Sequence, residues 1–137
     1  MSEFSRFKTE YAVRPDDIDM FQHVHNSTYF DYVLAARYDQ MRDFYKMTME
    51  EFIADGYGWV VKTAFIDYKR PLKLGDKFMV ETGIEKMHSK GCRVSFSIHF
   101  KESNKISCDG WFEYVLIDIQ TGRSSLVNEE MIKRYSI

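Results

Sequence analysis

One change of period constrains this chain more than any other feature. From Asn26 to about Tyr45, Phe30, Val33, Leu34, Arg37, Met41 and Phe44 recur at helical spacing, with Ala35 and Ala36 allowing close approach. After Gly58 the alternation drops to two residues and holds to Asp118. A chain with one long amphipathic helix and a run of strands has few ways to bury both. The expected class is α+β, with an antiparallel sheet of about five strands covering one central helix.

The first strand precedes the helix, where Phe7, Thr9, Tyr11 and Val13 alternate with Lys8, Glu10, Ala12 and Arg14. Beyond Gly58, Trp59, Val61, Thr63 and Phe65 are expected on one face and Val60, Lys62, Ala64 and Ile66 on the other, both partly apolar. Phe78 to Ile84, Cys92 to Phe100 and Ile106 to Asp118 supply the remaining strands, separated by Gly75-Asp76, Ser89-Lys90-Gly91 and Ser103-Asn104 turns. A helical turn is expected at Met49 to Ala54, ended by Gly56. Asn128 before Glu129 and Glu130 reads as the N-cap of a short terminal helix. In the long helix the first turns are expected to be the more deeply buried, because Asp39 to Asp43 is polar.

With 137 residues, 45% of them hydrophobic, the chain fits one domain spanning 1–137. A net charge of -2 gives no broad basic surface, so nucleic acid is not an expected partner. No apolar run reaches membrane-spanning length, and MSEFSRFKTE has neither a signal core nor a transit character, so no membrane association and a cytoplasmic location are expected. Cys92 and Cys108 fall on the apolar phase of strands and read as buried free thiols.

Chemistry concentrates in Val13 to Tyr32, VRPDDIDMFQHVHNSTYFDY. Pro15 stops the first strand, and Asn26 or Ser27 offers an N-cap oxygen to the helix. Asp17, Asp19, His23 and His25 are thereby placed near a helix amino end, where unpaired N–H groups favour developing negative charge. Asp17 and Asp19, two residues apart, are expected to point the same way, with Asp17 as the capping or orienting carboxylate. Acids before a helix also serve ordinary capping, and both readings stand on the residues alone. His23, His25 and Asp31 straddle a turn and a helix start without a second ligand cluster, so no metal is expected.

DIDMFQHVHNSTYFDY resembles the signature of the hotdog-fold thioesterases related to hydroxybenzoyl-CoA thioesterase, in which an Asp-x-Asp pair precedes a Gly-His-Val-Asn-Asn run and an aromatic residue early in the helix. Asp17, Asp19, His23, Val24, Asn26 and Tyr29 fall on that pattern. AFIDYKRPLKLGDKFMVET is similar to the second conserved region of the family, and NEEMIKRY to its terminal helix. Phe21, Gln22 and His25 depart from the pattern.

The resemblance implies hydrolysis of an acyl-CoA thioester to free acid and CoA with no cofactor. Asp19 would be the carboxylate that attacks the thioester or activates water, with His23 and Asn26 beside it. His23 is equally open to a structural role. The N–H of Asn26 or Ser27 would polarise the carbonyl, Tyr29 and Val33 would line the acyl tunnel, and Arg70 and Lys90 would meet the CoA phosphates. The family also implies a homodimer or a dimer of dimers, with the site at the subunit interface. An acyl-carrier-protein thioesterase and a non-catalytic acyl-thioester-binding protein are the alternatives. The hydratases of this fold space Asp and His five apart, whereas Asp19 and His23 are four apart.

Overall fold

The computed structural model describes residues 4–137. In chain order it contains β1 (Arg6–Ala12), a 3-10 turn (Pro15–Asp17), α1 (Thr28–Asp43), α2 (Met49–Ala54), β2 (Tyr57–Tyr68), β3 (Lys77–His88), β4 (Gly91–Phe100), β5 (Ile106–Asp118) and α3 (Glu129–Tyr135). The five strands form one antiparallel sheet in the order β1-β3-β4-β5-β2. Strand alternation divides the sheet into two faces. Phe78, Val80, Val94, Phe96, Ile98, Phe112 and Leu116 are buried with Val33, Ala36 and Met41 of α1 in one core. Each of these side chains larger than alanine contributes roughly 1.5–3 kcal/mol of burial.

Several expectations change at the helix. It starts at Thr28 rather than Asn26, and Ser27 occupies the N-cap position with helical dihedrals and no side-chain cap bond. Its buried stripe is Tyr29, Tyr32, Val33, Ala36, Arg37, Gln40 and Met41, while Leu34 and Phe44 of the expected stripe are exposed. Burial therefore runs the length of α1 rather than fading after its first turns. The polar Gln40 is buried because its amide donates to the Thr9 hydroxyl at 3.0 Å and the Phe7 carbonyl at 3.3 Å.

β2 also differs. A bulge shifts the register between Val61 and Thr63, so Trp59 and Val61 lie opposite Leu116 and Tyr114, whereas Thr63 and Phe65 lie opposite Glu113 and Trp111. Trp59 and Phe65 therefore sit on opposite faces, not on the same one. Gly110, opposite Ile66, keeps this pairing close: a Cβ there would meet the Phe65 carbonyl oxygen at 1.9 Å. Being last in the strand order, β2 presents a twelve-residue edge, with Val60, Val61 and Phe65 exposed.

The short helices are capped as their sequences require. Thr48 accepts from the Glu51 N–H at 3.1 Å and Asn128 from the Met131 N–H at 2.9 Å. Cys92 and Cys108 are buried free thiols. Among the described residues no helix is long and apolar enough to cross a membrane.

Candidate active site

The segment after the 3-10 turn folds into a tight hairpin that sequence periodicity does not reveal. Ile18 bridges Val24, the Asp19 N–H donates to the His23 carbonyl at 2.8 Å, and the Gln22 N–H returns to the Asp19 carbonyl at 3.0 Å. Gln22 closes the turn at φ 64, in the left-handed region. The chain after Pro71 holds the hairpin: the Val24 N–H donates to the Leu72 carbonyl at 2.9 Å and the Leu74 N–H to the Gln22 carbonyl at 3.2 Å. At the tip, Met20 and Phe21 are 87% and 72% exposed.

This local fold separates the two acids. Asp17 is buried, accepting from the Tyr32 hydroxyl at 2.7 Å and the Arg14 N–H at 3.0 Å, with the Arg14 guanidinium at 3.5 Å. Burial pushes its pKa up, but the Tyr32 hydroxyl and the Arg14 groups outweigh burial and hold it below the ordinary carboxylate value. Asp17 thus orients the turn against α1. Asp19 sits across the hairpin, its Oδ1 accepting from the N–H groups of Phe21 at 2.8 Å and His23 at 3.2 Å. The expectation that both carboxylates point the same way fails, because the segment is turned rather than extended.

The Phe21 N–H lowers the Asp19 pKa most; partial burial opposes it, and the His23 N–H with the charges of His23 and His25 reinforces it. Asp19 is therefore a stable carboxylate at neutral pH. Within one chain it is only partly buried.

Asp19, His23, His25, Asn26 and Tyr29 face Tyr68, Lys69, Arg70 and Pro71 across an open cleft of about 430 Å³. The Tyr29 hydroxyl accepts from the Leu72 N–H at 2.9 Å, and its ring meets that of Tyr68 edge-on at 5.3 Å. Tyr68 in turn donates to the Asn26 carbonyl at 2.7 Å, fixing the loop that enters α1. The amide N–H groups of Asn26 and Ser27 donate no hydrogen bond among the described residues. Unpaired N–H groups at a helix entrance favour negative charge placed near them.

The other expected residues divide. Arg70 lines the cleft, exposed, with its Nη1 donating to the Ile106 carbonyl at 2.9 Å. Lys69 lies beside it, held by Asp67 at 2.7 Å and Asp109 at 3.2 Å. Val33 is fully buried in the core and does not line the cleft within one chain. Lys90 occupies the β3–β4 turn at the other end of the sheet, where its carbonyl accepts from the Leu116 N–H. A single chain does not bring Arg70 and Lys90 together. Sequence reasoning gave Tyr68 no role in the site; its signal was an aromatic directly before the Lys-Arg-Pro run. Among the described residues no three His, Cys, Asp or Glu side chains converge as a metal site.

The model of the thioesterase-like superfamily matches residues 13–134, a span that runs from the acidic turn to the penultimate residue of α3. The chain belongs to that superfamily. Its thioesterase-like sequence is 24% identical over 124 residues to the long-chain acyl-CoA thioesterase FadM of Escherichia coli (strain K12), covering 90% of this chain and 92% of that protein. Among solved structures, a probable thioesterase from Escherichia coli superposes with a TM-score of 0.82 at 22% identity, over 95% of this chain and 98% of that one. A 1,4-dihydroxy-2-naphthoyl-CoA thioesterase from Synechocystis superposes with a TM-score of 0.85 at 17% identity, over 96% of each chain. This thioesterase-like chain has the hotdog fold.

Proposed function

We propose that the chain hydrolyses an acyl-CoA thioester to the free acid and CoA, with Asp19 as base or nucleophile. The observation that carries this reading is the meeting, in one cleft, of an ionised Asp19 with Asn26, whose amide N–H, like that of the adjoining Ser27, donates no hydrogen bond among the described residues at the entrance to α1. FadM, similar over nine-tenths of the chain, is named a long-chain acyl-CoA thioesterase.

In the general-base course, Asp19 takes a proton from water as its oxygen adds to the thioester carbonyl carbon. The carbonyl oxygen gains the negative charge, which the helix-entrance amides stabilise. Collapse breaks the C–S bond, and the departing thiolate takes the proton. In the nucleophilic course the Asp19 carboxylate adds instead, expels the thiolate and leaves an acyl-aspartyl anhydride that water opens. Both courses use the same groups. His23 and Asn26 frame Asp19, Tyr29 closes the cleft floor, and Ser27 supplies backbone rather than side chain. Arg70 is the cation best placed to meet a CoA phosphate.

A homodimer completes this reading. The twelve-residue β2 edge, with exposed Val60, Val61 and Phe65, is suited to pairing with its twofold mate in one continuous sheet. Antiparallel pairing of two β2 strands runs the Trp59 end of one beside the Tyr68 end of the other. Lys90 of the partner subunit would then lie toward the cleft, and a covering chain would desolvate Asp19.

Purified protein assayed against short, medium, long and aromatic acyl-CoA esters tests the activity. Turnover of at least one is expected. Binding of acyl-CoA without turnover above the uncatalysed rate on any would instead make the chain an acyl-thioester-binding module. A strong preference for acyl carrier protein over CoA would move the assignment to carrier-protein thioesters.

A further inference from the structure

Arg37 lies on the buried face of α1, only 9% exposed. Its Nη1 donates to the Thr82 hydroxyl at 3.0 Å and the Tyr45 hydroxyl at 3.4 Å, and its Cζ lies 5.3 Å from the Tyr45 ring centroid. Every one of these partners is neutral. Among the described residues Arg37 forms no ion pair: Asp39 and Asp43 on its own helix are paired with Arg42, and Glu113 on β5 with Arg93. A guanidinium does not deprotonate in a protein, so burial leaves a cation without a counter-charge. Buried charges are ordinarily paired, because desolvating one alone is costly.

The guanidinium borders a chamber beneath the helix, about 40 Å³ in volume, whose walls include Met41, Met49, Met87, Trp59, Tyr114 and Tyr135. No Asp or Glu lines it. Burial pushes the Cys92 thiol and the Tyr114 and Tyr135 phenols up to about 12, so these walls supply no anion at neutral pH. The chamber shares no residue with the Asp19 cleft.

We infer that this chamber is a second ligand site, which takes the carboxylate of a short apolar acid against Arg37 and packs its stem among the methionines and aromatics. One water needs roughly 10–15 Å³ of such space, so the chamber admits a carboxylate and a short stem rather than a long chain. Unbranched methionine walls adjust to such a guest. The carboxylate comes either from a free acid or from the far end of an acyl group that carries a second acid.

The test uses the full-length protein labelled with 13C at its methionine methyls and titrated with sodium butyrate, 1-butanol or sodium chloride. Butyrate is expected to shift Met41, Met49 and Met87 saturably while leaving Met20, beside Asp19, in place. Arg37→Met is expected to fold, since an apolar side chain of similar reach removes an unpaired buried charge, and to lose the saturable shift. Titrating the non-hydrolysable thioether analogue of succinyl-CoA into the butyrate complex separates the sources: displacement from the three methyls assigns the far end of an acyl group, and none assigns the free acid. The inference is overturned if butanol shifts the three methyls as butyrate does, or if Met20 moves in their place. It is equally overturned if nothing saturates by roughly 100 mM butyrate, where even a Kd of ~10 mM is filled. Because the parent protein's own titration decides between these results, failure of Arg37→Met to fold would leave the test intact. None of these readouts depends on turnover.

Discussion

The Tyr32 hydroxyl donates to Asp17 Oδ2 at 2.7 Å inside the protein, tying the first acid of the Asp-x-Asp pair to α1. Tyr32→Phe removes that donor and leaves a buried carboxylate short of a partner, an effect of roughly 1.5–3 kcal/mol for a bond to a charged group. Because the folded Asp17 pKa lies below its ordinary 3.8, the stabilisation is present above that value and is lost as pH falls through the folded pKa. Urea unfolding should therefore show the full deficit of Tyr32→Phe at pH 7 and a shrinking one as the medium becomes strongly acidic. A deficit independent of pH would mean that the ring, not its hydroxyl, matters there.

Gln22 stands at φ 64 in the hairpin turn, where the resembling family carries glycine. A side chain costs about 1–2 kcal/mol in this region, and glycine returns part of that gain through a freer unfolded chain. Gln22→Gly is expected to raise unfolding stability by up to about 1 kcal/mol, and Gln22→Val to lower it. Calorimetry on both variants checks the sign.

The β2 edge makes the oligomer testable. Val60 and Phe65 are 43% and 50% exposed in the single chain, and charges on an edge strand oppose pairing with another edge. The parent protein is expected to sediment as a dimer at micromolar concentration, and Val60→Lys combined with Phe65→Lys to shift it toward monomer with loss of turnover. An active, folded monomer of the parent sequence would remove the claim.

Arg70 lines the cleft and Lys90 does so only if a partner chain delivers it. Arg70→Ala should raise KM for the CoA ester roughly tenfold, and far less for a truncated thioester lacking the nucleotide, since a phosphate contact is charge-assisted. The loss should shrink at high salt. Lys90→Ala should show the same substrate dependence in the dimer; equal effects on both esters would assign either residue to folding or to the acyl site.

The residues that announced the fold were those whose period is uninterrupted. Cys92 to Phe100 alternates cleanly and became β4 within a residue, and Asn128 capped α3 as its sequence requires. What escaped were the breaks in period. The β2 bulge inverted the faces of Thr63 and Phe65, and the hairpin from Ile18 to Val24 parted Asp17 from Asp19. Neither break carries a glycine or proline at its turning point, so no local signal marked it. Arg37 fell on the helical stripe in the sequence and stayed on it in the structure, but only packing revealed that the stripe buries a charge.

Asp19→Asn isolates the chemistry from the turn. Asn keeps an Oδ1 that accepts from the Phe21 and His23 N–H groups, so the hairpin and the β2 edge should be undisturbed. It cannot attack as a carboxylate or take a proton near neutral pH, and turnover should fall by ~10²-fold or more, the lower range for loss of a positioned acid or base. Affinity for acyl-CoA should survive, because the groups facing the substrate across the cleft are untouched. His23→Ala, measured beside it and in the double variant, separates roles: near-equal losses that do not add identify a coupled pair, and a small independent loss identifies an orienting histidine. If Asp19→Asn turns over its best acyl-CoA within a few-fold of the parent rate, its carboxylate serves the hairpin alone, and the chemistry must be sought from the other side chains that face Tyr68 and Arg70.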